Sequence, residues 1–232
     1  VTAPNGYVIV SDSTFVLNPD GSVTYGGTKT TANGITTLVV EDAPAPKLNK
    51  VEIGNGPELD GATIEIRDIN GNVVDSWTSK SGEIHTIQNL KAGETYTFVE
   101  TTAPLGYDIA ATTTFELNIN GTLKSYSGTT VSNDVMLVED WTHIKISKKA
   151  INGSNELAGA TLQILDVNGN LVKDKDGKTL EWVSDGIAPK DVVGLKSGVT
   201  YTLRELVAPT DYVVTTDSTF SLNPDGTVNY SG

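Results

Sequence analysis

The chain has 232 residues, 38% of them hydrophobic, with 23 Gly, 9 Pro and no Cys. That is the length of two small domains or pieces of three, turn-rich and globular, and no run approaches the roughly 18 apolar residues of a membrane helix. Against 29 Asp and Glu stand 16 Lys and Arg, a net charge of −13, which repels phosphate backbones and anionic lipid heads and so excludes nucleic acid and membrane surface as expected partners. The lack of Cys removes disulfides, thiolate nucleophiles and thiolate metal sites together.

In chain order, repeats organise everything else. Residues 1–27 (VTAPNGYVIVSDSTFVLNPDGSVTYGG) carry a half-unit that recurs from Thr101 (TTAPLGYDIAATTTFELNINGTL) and again over residues 206–232 (LVAPTDYVVTTDSTFSLNPDGTVNYSG). LVVED at residues 38–42 closes the first copy and LVED at 137–140 the second. The other half-unit begins at Lys47 (KLNKVEIGNGPELDGATIEIRDINGN) and at Lys145 (KISKKAINGSNELAGATLQILDVNGN), again without a gap. A full unit therefore runs KxxK half, APxGY half, VED, which predicts the C-terminal part of a unit over residues 1–43, a complete unit over 44–140, and over 141–232 a unit lacking its last strand. An insert around residues 174–178 (DKDGK) lengthens that last unit. The chain begins at Val1 without Met and reads as an excerpt of something longer.

Alternation in TIEIR (63–67), TYTF (95–98) and TYTL (200–203) predicts strands, and Asp20-Gly21, Asn70-Gly71, Asn120-Gly121, Asn168-Gly169 and Asp225-Gly226 predict tight turns. No segment carries a 3.6-residue apolar period. The expected fold is all-β, one antiparallel sandwich per unit of about a hundred residues.

Residues two apart in a strand share a face. On that rule Lys148 points with Ile144 and Ile146, Lys50 with Leu48, Glu100 with Tyr96 and Phe98, and Glu205 with Tyr201 and Leu203. An unpaired buried charge costs several kcal/mol, so a Lys and a Glu aimed into one small core must meet, neutralise or react. A buried Lys–Glu ion pair, or a side chain curling back to solvent at a strand end, satisfies the pattern. So does a third reading, in which a carboxyl from the closing strand VMLVED (135–140) joins the pair and a side-chain amide forms.

ETTAPLGY (100–107), THIKISK (142–148), ELAGATLQILD (156–166) and VMLVED together resemble the Cna B-type family, the tandem prealbumin-like isopeptide domains (SpaA/VaFE-type repeats) of Gram-positive surface adhesins and pili. The resemblance covers essentially the whole chain. It implies inverse immunoglobulin-type sandwiches in which a strand Lys bonds to an Asp or Asn of the last strand, with the Glu of E-x-x-A-P as catalyst. Carried over residue by residue, Lys50 is the amine and Glu100 the catalyst of the complete unit, and Lys148 and Glu205 take those roles in the last. The acceptor is Asp140, with Glu139 as alternative. Parity leaves the two open: Val135, Leu137 and Glu139 form one apolar row, Met136, Val138 and Asp140 the other, and the choice of Asp140 is expected to need a register shift or bulge. The same choice recurs at Asp42, with Glu41 as alternative, and the strand over residues 34–42, supplied as a separate peptide or by a neighbouring chain, is expected to add to the open edge of the last unit, bringing Asp42 to Lys148. One departure is Asp211 in APTDY, where the family has Gly, which predicts a less regular turn.

His85 and His143 lie on unlike segments without metal-ligand spacing and are read as surface or strand-edge residues. Residues 166–176 (DVNGNLVKDKD) lack the last bidentate Glu of a calcium loop and read as consecutive turns. Trp77 and Trp182 are read as core. No cofactor is implied, and the inward-facing catalytic set would be consumed by one turnover, so no enzyme acting on an external substrate is expected. The function expected is a structural stalk or fibre segment, secreted and anchored to the cell wall by an anchor outside this sequence. Its expected partners are neighbouring repeats, then other copies of the chain and a host extracellular ligand contacted elsewhere in the parent protein. The alternative is an adhesin module that contacts host protein or glycan through its loops.

Overall fold

The computed structural model describes residues 2–3, 7–9, 12–128, 130–132 and 135–231. Among them there is no helix; every regular element is a strand. The first segment holds β1 (Tyr7–Val8), β2 (Phe15–Leu17), β3 (Val23–Tyr25), β4 (Lys29–Ala32), β5 (Ile35–Leu38) and β6 (Ala43–Pro44). β2 pairs with β3 and β4 with β5 as two hairpins, while β1 pairs with β6. Phe15, Val16 and Leu17 are all more than half exposed, because the described residues of this segment include no second sheet to cover them.

The middle segment is a two-layer sandwich. It holds β7 (Lys47–Glu52), β8 (Thr63–Arg67), β9 (Val73–Thr78), β10 (His85–Thr86), β11 (Thr95–Thr102), β12 (Thr113–Leu117), β13 (Leu123–Tyr126), β14 (Thr130–Ser132) and β15 (Val135–Asp140). One sheet runs β13-β12-β11-β8-β9, the other β10-β7-β15-β14. Leu48, Ile87, Met136 and Val138 from the second sheet side pack onto Ile64, Ile66, Tyr96, Phe98, Phe115 and Leu117 of the first in one buried cluster. Every pairing in the two sheets is antiparallel except one: β15 lies parallel to β7, in unbroken register from Val135↔Lys47 to Asp140↔Glu52. The first and last strands of the unit are thus neighbours.

The last segment repeats this plan with β16 (His143–Ile146), β17 (Ala158–Leu165), β18 (Glu181–Asp185), β19 (Lys190–Val193), β20 (Thr200–Val207), β21 (Ser218–Leu222) and β22 (Val228–Ser231). The five-stranded layer β18-β17-β20-β21-β22 is complete, whereas the opposite layer is the pair β16-β19 alone among the described residues. Ile144 and Ile146 still cover Ile164, Val192, Tyr201 and Phe220. An aromatic pair recurs in both units, Tyr96–Phe115 at 5.5 Å and Tyr201–Phe220 at 5.6 Å between ring centroids. Each tyrosine hydroxyl accepts a backbone N–H five residues earlier, from Lys91 and Lys196, which satisfies the polar end of an otherwise apolar side chain.

The turn expected to be irregular at Asp211 is not. Asp211 adopts φ 68°, against 77° for Gly106, and the closing bond Tyr212 N–H to Pro209 C=O at 3.1 Å matches Tyr107 to Pro104 at 3.2 Å. Aspartate tolerates the left-handed region better than other residues with a side chain. The stretch 166–176 forms two successive turns, in which Asp166 accepts from Asn168 and Asn170 N–H and Asp174 accepts from Asp176 and Lys178 N–H.

Phe98 is fully buried in the middle core. Phe98→Ala is expected to lower the unfolding free energy by about 3–5 kcal/mol, whereas Ile119→Ala, at a position 92% exposed, should change it by less than about 0.5 kcal/mol in the same urea titration.

Candidate isopeptide site

The face rule and the parallel register place the site. In β7, Leu48 points into the middle core and Lys50 follows it on the same face; in β15, Met136 and Val138 point into that core and Asp140 follows them. In β11, Tyr96, Phe98 and Glu100 alternate inward, each of them buried. Lys50, Glu100 and Asp140 are 2%, 5% and 1% exposed. Three strands from both layers therefore aim one amine and two carboxyls at a single point.

Lys50 Nζ donates to Asp140 Oδ1 and lies 3.1 Å from Glu100 Oε1, an ion-pair contact without hydrogen-bond alignment. Glu100 Oε2 accepts the Ala110 N–H, which fixes the carboxyl from the loop after the APLGY turn. Glu100 Oε1 and Asp140 Oδ2 are left buried with no hydrogen-bond partner. Burial pushes the Asp140 carboxyl up to about 7; Lys50 opposes this, and Glu100 adds to it by charge and hydrogen bonding. In its protonated form Asp140 can donate toward Glu100, which gives both orphan oxygens a partner.

Glu139 lies elsewhere. It is on the outer row with Val135 and Leu137, which pack on Val51, and its Oε1 accepts the Gly54 and Asn55 N–H groups at 2.8 and 3.1 Å. The register shift expected for Asp140 is absent: β15 is buried on both faces except at Glu139, so apolar alternation carries no information there, and the parallel register alone brings Asp140 to Lys50.

In the last unit Lys148 Nζ lies 3.0 Å from Glu205 Oε1, with side chains 14% and 1% exposed. Glu205 Oε2 accepts the Thr215 N–H at 2.8 Å, as Glu100 does from Ala110. Burial raises the Glu205 carboxyl, but the Thr215 N–H and Lys148 together outweigh it and hold the group below its ordinary value. Glu205 Oε1, like Glu100 Oε1, has no hydrogen-bond partner. Asp42 and Glu41 are exposed in the first segment; Glu41 accepts the Thr28 hydroxyl at 2.9 Å. Within one chain neither lies at Lys148; the expected contact is with a strand from a separate peptide or a neighbouring chain.

Sequence reading passed over Glu52 and the partners of the two histidines. Glu52, buried on the same β7 row as Lys50, accepts the Tyr107 hydroxyl at 3.0 Å and the Ser197 N–H of the last unit at 3.1 Å; extending the Leu48, Lys50 row by one step would have found it. His143 is not a bare surface residue. Its Nδ1 meets Asp108 at 2.6 Å and its Nε2 meets Asp191 at 2.8 Å, and although burial lowers its pKa the two carboxylates raise it overall. His85 stacks on Trp77 at 3.8 Å and bonds Asp75 at the edge strand β10. Trp77 and Trp182 pack against the two cores. Among the described residues no group of His, Cys, Asp and Glu forms a metal site.

The family described as SpaA, prealbumin-like fold domain, matches residues 45–130 and 142–232. The chain belongs to that family. Solved structures similar to it include the shaft pilin SpaA of Lactobacillus rhamnosus GG in a point-mutant form, at 16% identity over 78% of this chain and 94% of that one, with TM-score 0.32. The major pilin subunit BcpA of Bacillus cereus is 15% identical over 79% and 91%, TM-score 0.32. The TIE protein of Bacillus anthracis is 22% identical over 95% of this chain but 38% of that one, TM-score 0.31. No curated protein matches the chain. Two prealbumin-like units in tandem are what the matched residues and the two sheet systems describe.

A carboxyl whose folded pKa is raised contributes stability that is complete below its unfolded value near 3.8 and is lost as pH rises through about 7. In Glu100→Gln, where no amide is expected, burial still raises Asp140 although the contribution of Glu100 is gone, so unfolding free energy measured against Glu100→Gln/Asp140→Asn should fall as pH rises above about 3.8. A difference that rises or stays flat would contradict the neutral-carboxyl assignment.

Proposed function

We propose that the chain is a structural segment of a Gram-positive cell-surface stalk or fibre, whose prealbumin-like units are closed by autocatalytic Lys–Asp amides. The observation that supports this most is the convergence of Lys50, Glu100 and Asp140 in a buried core, at the one parallel strand pair among the described residues of the middle unit.

The chemistry follows from the proton inventory. Moving one proton from the Lys50 ammonium onto the carboxyl pair gives a free amine, a protonated Asp140 and a protonated Glu100 with no change in net charge, which a low-dielectric site tolerates. Nζ attacks Asp140 Cγ; the Nζ–Cγ bond forms, the Cγ–OH bond breaks, and one water leaves. Glu100 receives a proton from Nζ and delivers one to the departing hydroxyl, ending as it began. A cavity of about 420 Å³, lined by Ala110, Thr113, Tyr126, Val138 and Asp140 among others, adjoins the acid and offers the water a way out. Each site turns over once, so the chain is not an enzyme toward external substrates.

The amide would close a loop of 90 residues. Treated like a disulfide in the chain-entropy model, that is worth about 4–5 kcal/mol. The mechanical effect is larger, since β7 and β15 could no longer separate. In the last unit Lys148 and Glu205 meet with no second carboxyl beside them among the described residues, and Asp42 on the strand over residues 34–42 is the acceptor we propose for them when a second copy supplies that strand.

Intact mass of the purified chain should fall short of the sequence mass by one water for the middle unit. Glu100→Gln should recover the full mass, fold, and lose heat and protease resistance. A full-mass wild-type chain, or a Glu100→Gln chain that still loses the water, would overturn the proposal.

A further inference from the structure

The middle and last units meet at a surface that the isopeptide reading leaves unused. Glu52 of the middle unit is 3% exposed and shared between two neighbours: the Tyr107 hydroxyl of its own unit, and the Ser197 N–H of the next. A buried carboxylate needs such partners, and here one of them belongs to the following unit. The linker is stitched to the same place, with His143 N–H donating to Gly106 C=O at 2.7 Å and Asp108 N–H to Trp141 C=O at 2.9 Å.

Glycine at two facing positions makes the approach close. A Cβ placed on Gly106 would stand 2.7 Å from the Gly226 Cα, and one placed on Gly226 would stand 1.8 Å from the Leu105 carbonyl oxygen. Both contacts are to backbone, which cannot step aside as a flexible side chain can. Gly121, equivalent to Gly226 in the repeat, is likewise hemmed in by Tyr7 Oη at 2.9 Å and Pro44 Cγ at 3.0 Å of the preceding segment. The third equivalent, Gly21, has nothing within 4 Å. Two of the three hairpin glycines thus abut residues of the segment before them, Gly226 against Leu105 and Gly106, and Gly121 against Tyr7 and Pro44.

The last unit departs at two of these positions together. Ala150 stands where the middle unit has Glu52, and Asp211 where it has Gly106. Asp211 keeps the turn's left-handed φ, so the turn itself does not demand glycine; the close approach of the next unit does. Tyr107, with Glu52 beneath it and the next unit beside it, is 7% exposed.

We propose that Glu52, Gly106 and Tyr107 form a unit-coupling lock, whose partner is a following prealbumin-like unit that presents a glycine hairpin turn and a free backbone N–H, and that the Ala150 and Asp211 surface of the last unit does not accept such a partner. Stiff and compliant joints are then written into the repeats by two residues. The proposal is independent of the amide, because none of its three residues belongs to the Lys50 cluster.

The absence of native Cys allows the full chain to be labelled at Ser76→Cys in β9 and Val183→Cys in β18, one on each unit, and inter-unit distances to be read by pulsed electron spin resonance. The parent should give one sharp distance. Gly106→Asp, which installs the last unit's residue, Glu52→Ala, and Gly226→Ala, which acts from the other unit, should each spread it into a broad distribution with the sharp peak lost. Gly21→Ala carries the same turn strain with nothing to strike and should leave the peak unchanged. Intact mass, read on each variant, should keep the middle unit's loss of water, so failure of the lock and failure of the amide are told apart. A broad distribution in the parent, or a sharp and unshifted peak in both Gly106→Asp and Gly226→Ala, would overturn the lock.

Discussion

The parallel pairing of β15 with β7 is the constraint on which the middle unit depends. It sets the last strand beside the first, and its register determines which side chain of VED faces the core. Shifting that register by one residue would send Glu139 inward and Asp140 out, exchanging a caged acid for one that now caps the Gly54 and Asn55 N–H groups. Because Lys50 and Asp140 belong to the strands at the two ends of the unit, any bond between them acts on the whole sandwich rather than on a local loop. Burying three ionisable groups costs stability while they remain separate, and removing one partner of such a cluster typically costs about 3–5 kcal/mol more. An amide converts the same geometry into a neutral, satisfied crosslink.

Much of this was legible in the residues. Strict alternation in TYTF and TIEIR gave β11 and β8 their inward rows, and carrying the row one step past Phe98 reached Glu100. VMLVED could not be read that way, because four consecutive residues of β15 are buried and the strand has no solvent face to mark. Only its long-range register distinguishes Asp140 from Glu139, and register with a strand 90 residues away has no local signal. The contacts of Glu52, His143 and Gly226 were hidden for a similar reason. They exist between units, so neither period nor turn chemistry within one unit points to them. Asp211 shows the opposite error, in which a residue unlike the family's glycine was expected to disturb a turn that its backbone in fact reproduces.

Repetition also separates what each unit needs in order to fold from what it needs in order to be joined. The aromatic pair, the hydroxyl bonds to Lys91 and Lys196, and the glutamate held by a loop N–H recur in both units; they belong to the sandwich. Glu52 and Gly106 are replaced by Ala150 and Asp211 in the last unit, and they contact the neighbouring unit instead. On the two proposals made above, a chain with no Cys and a net charge of −13 would have two separate means of resisting extension, one inside a unit and one between units.

Pulling a single molecule by its ends tests the central claim most directly. If Lys50 and Asp140 are joined, the 90 residues between them are bypassed by the load, and the middle unit should add none of the roughly 300 Å that such a segment spans when extended, at any force below that of covalent rupture. An unfolding step of about that length from the middle unit of the wild-type chain would contradict the account.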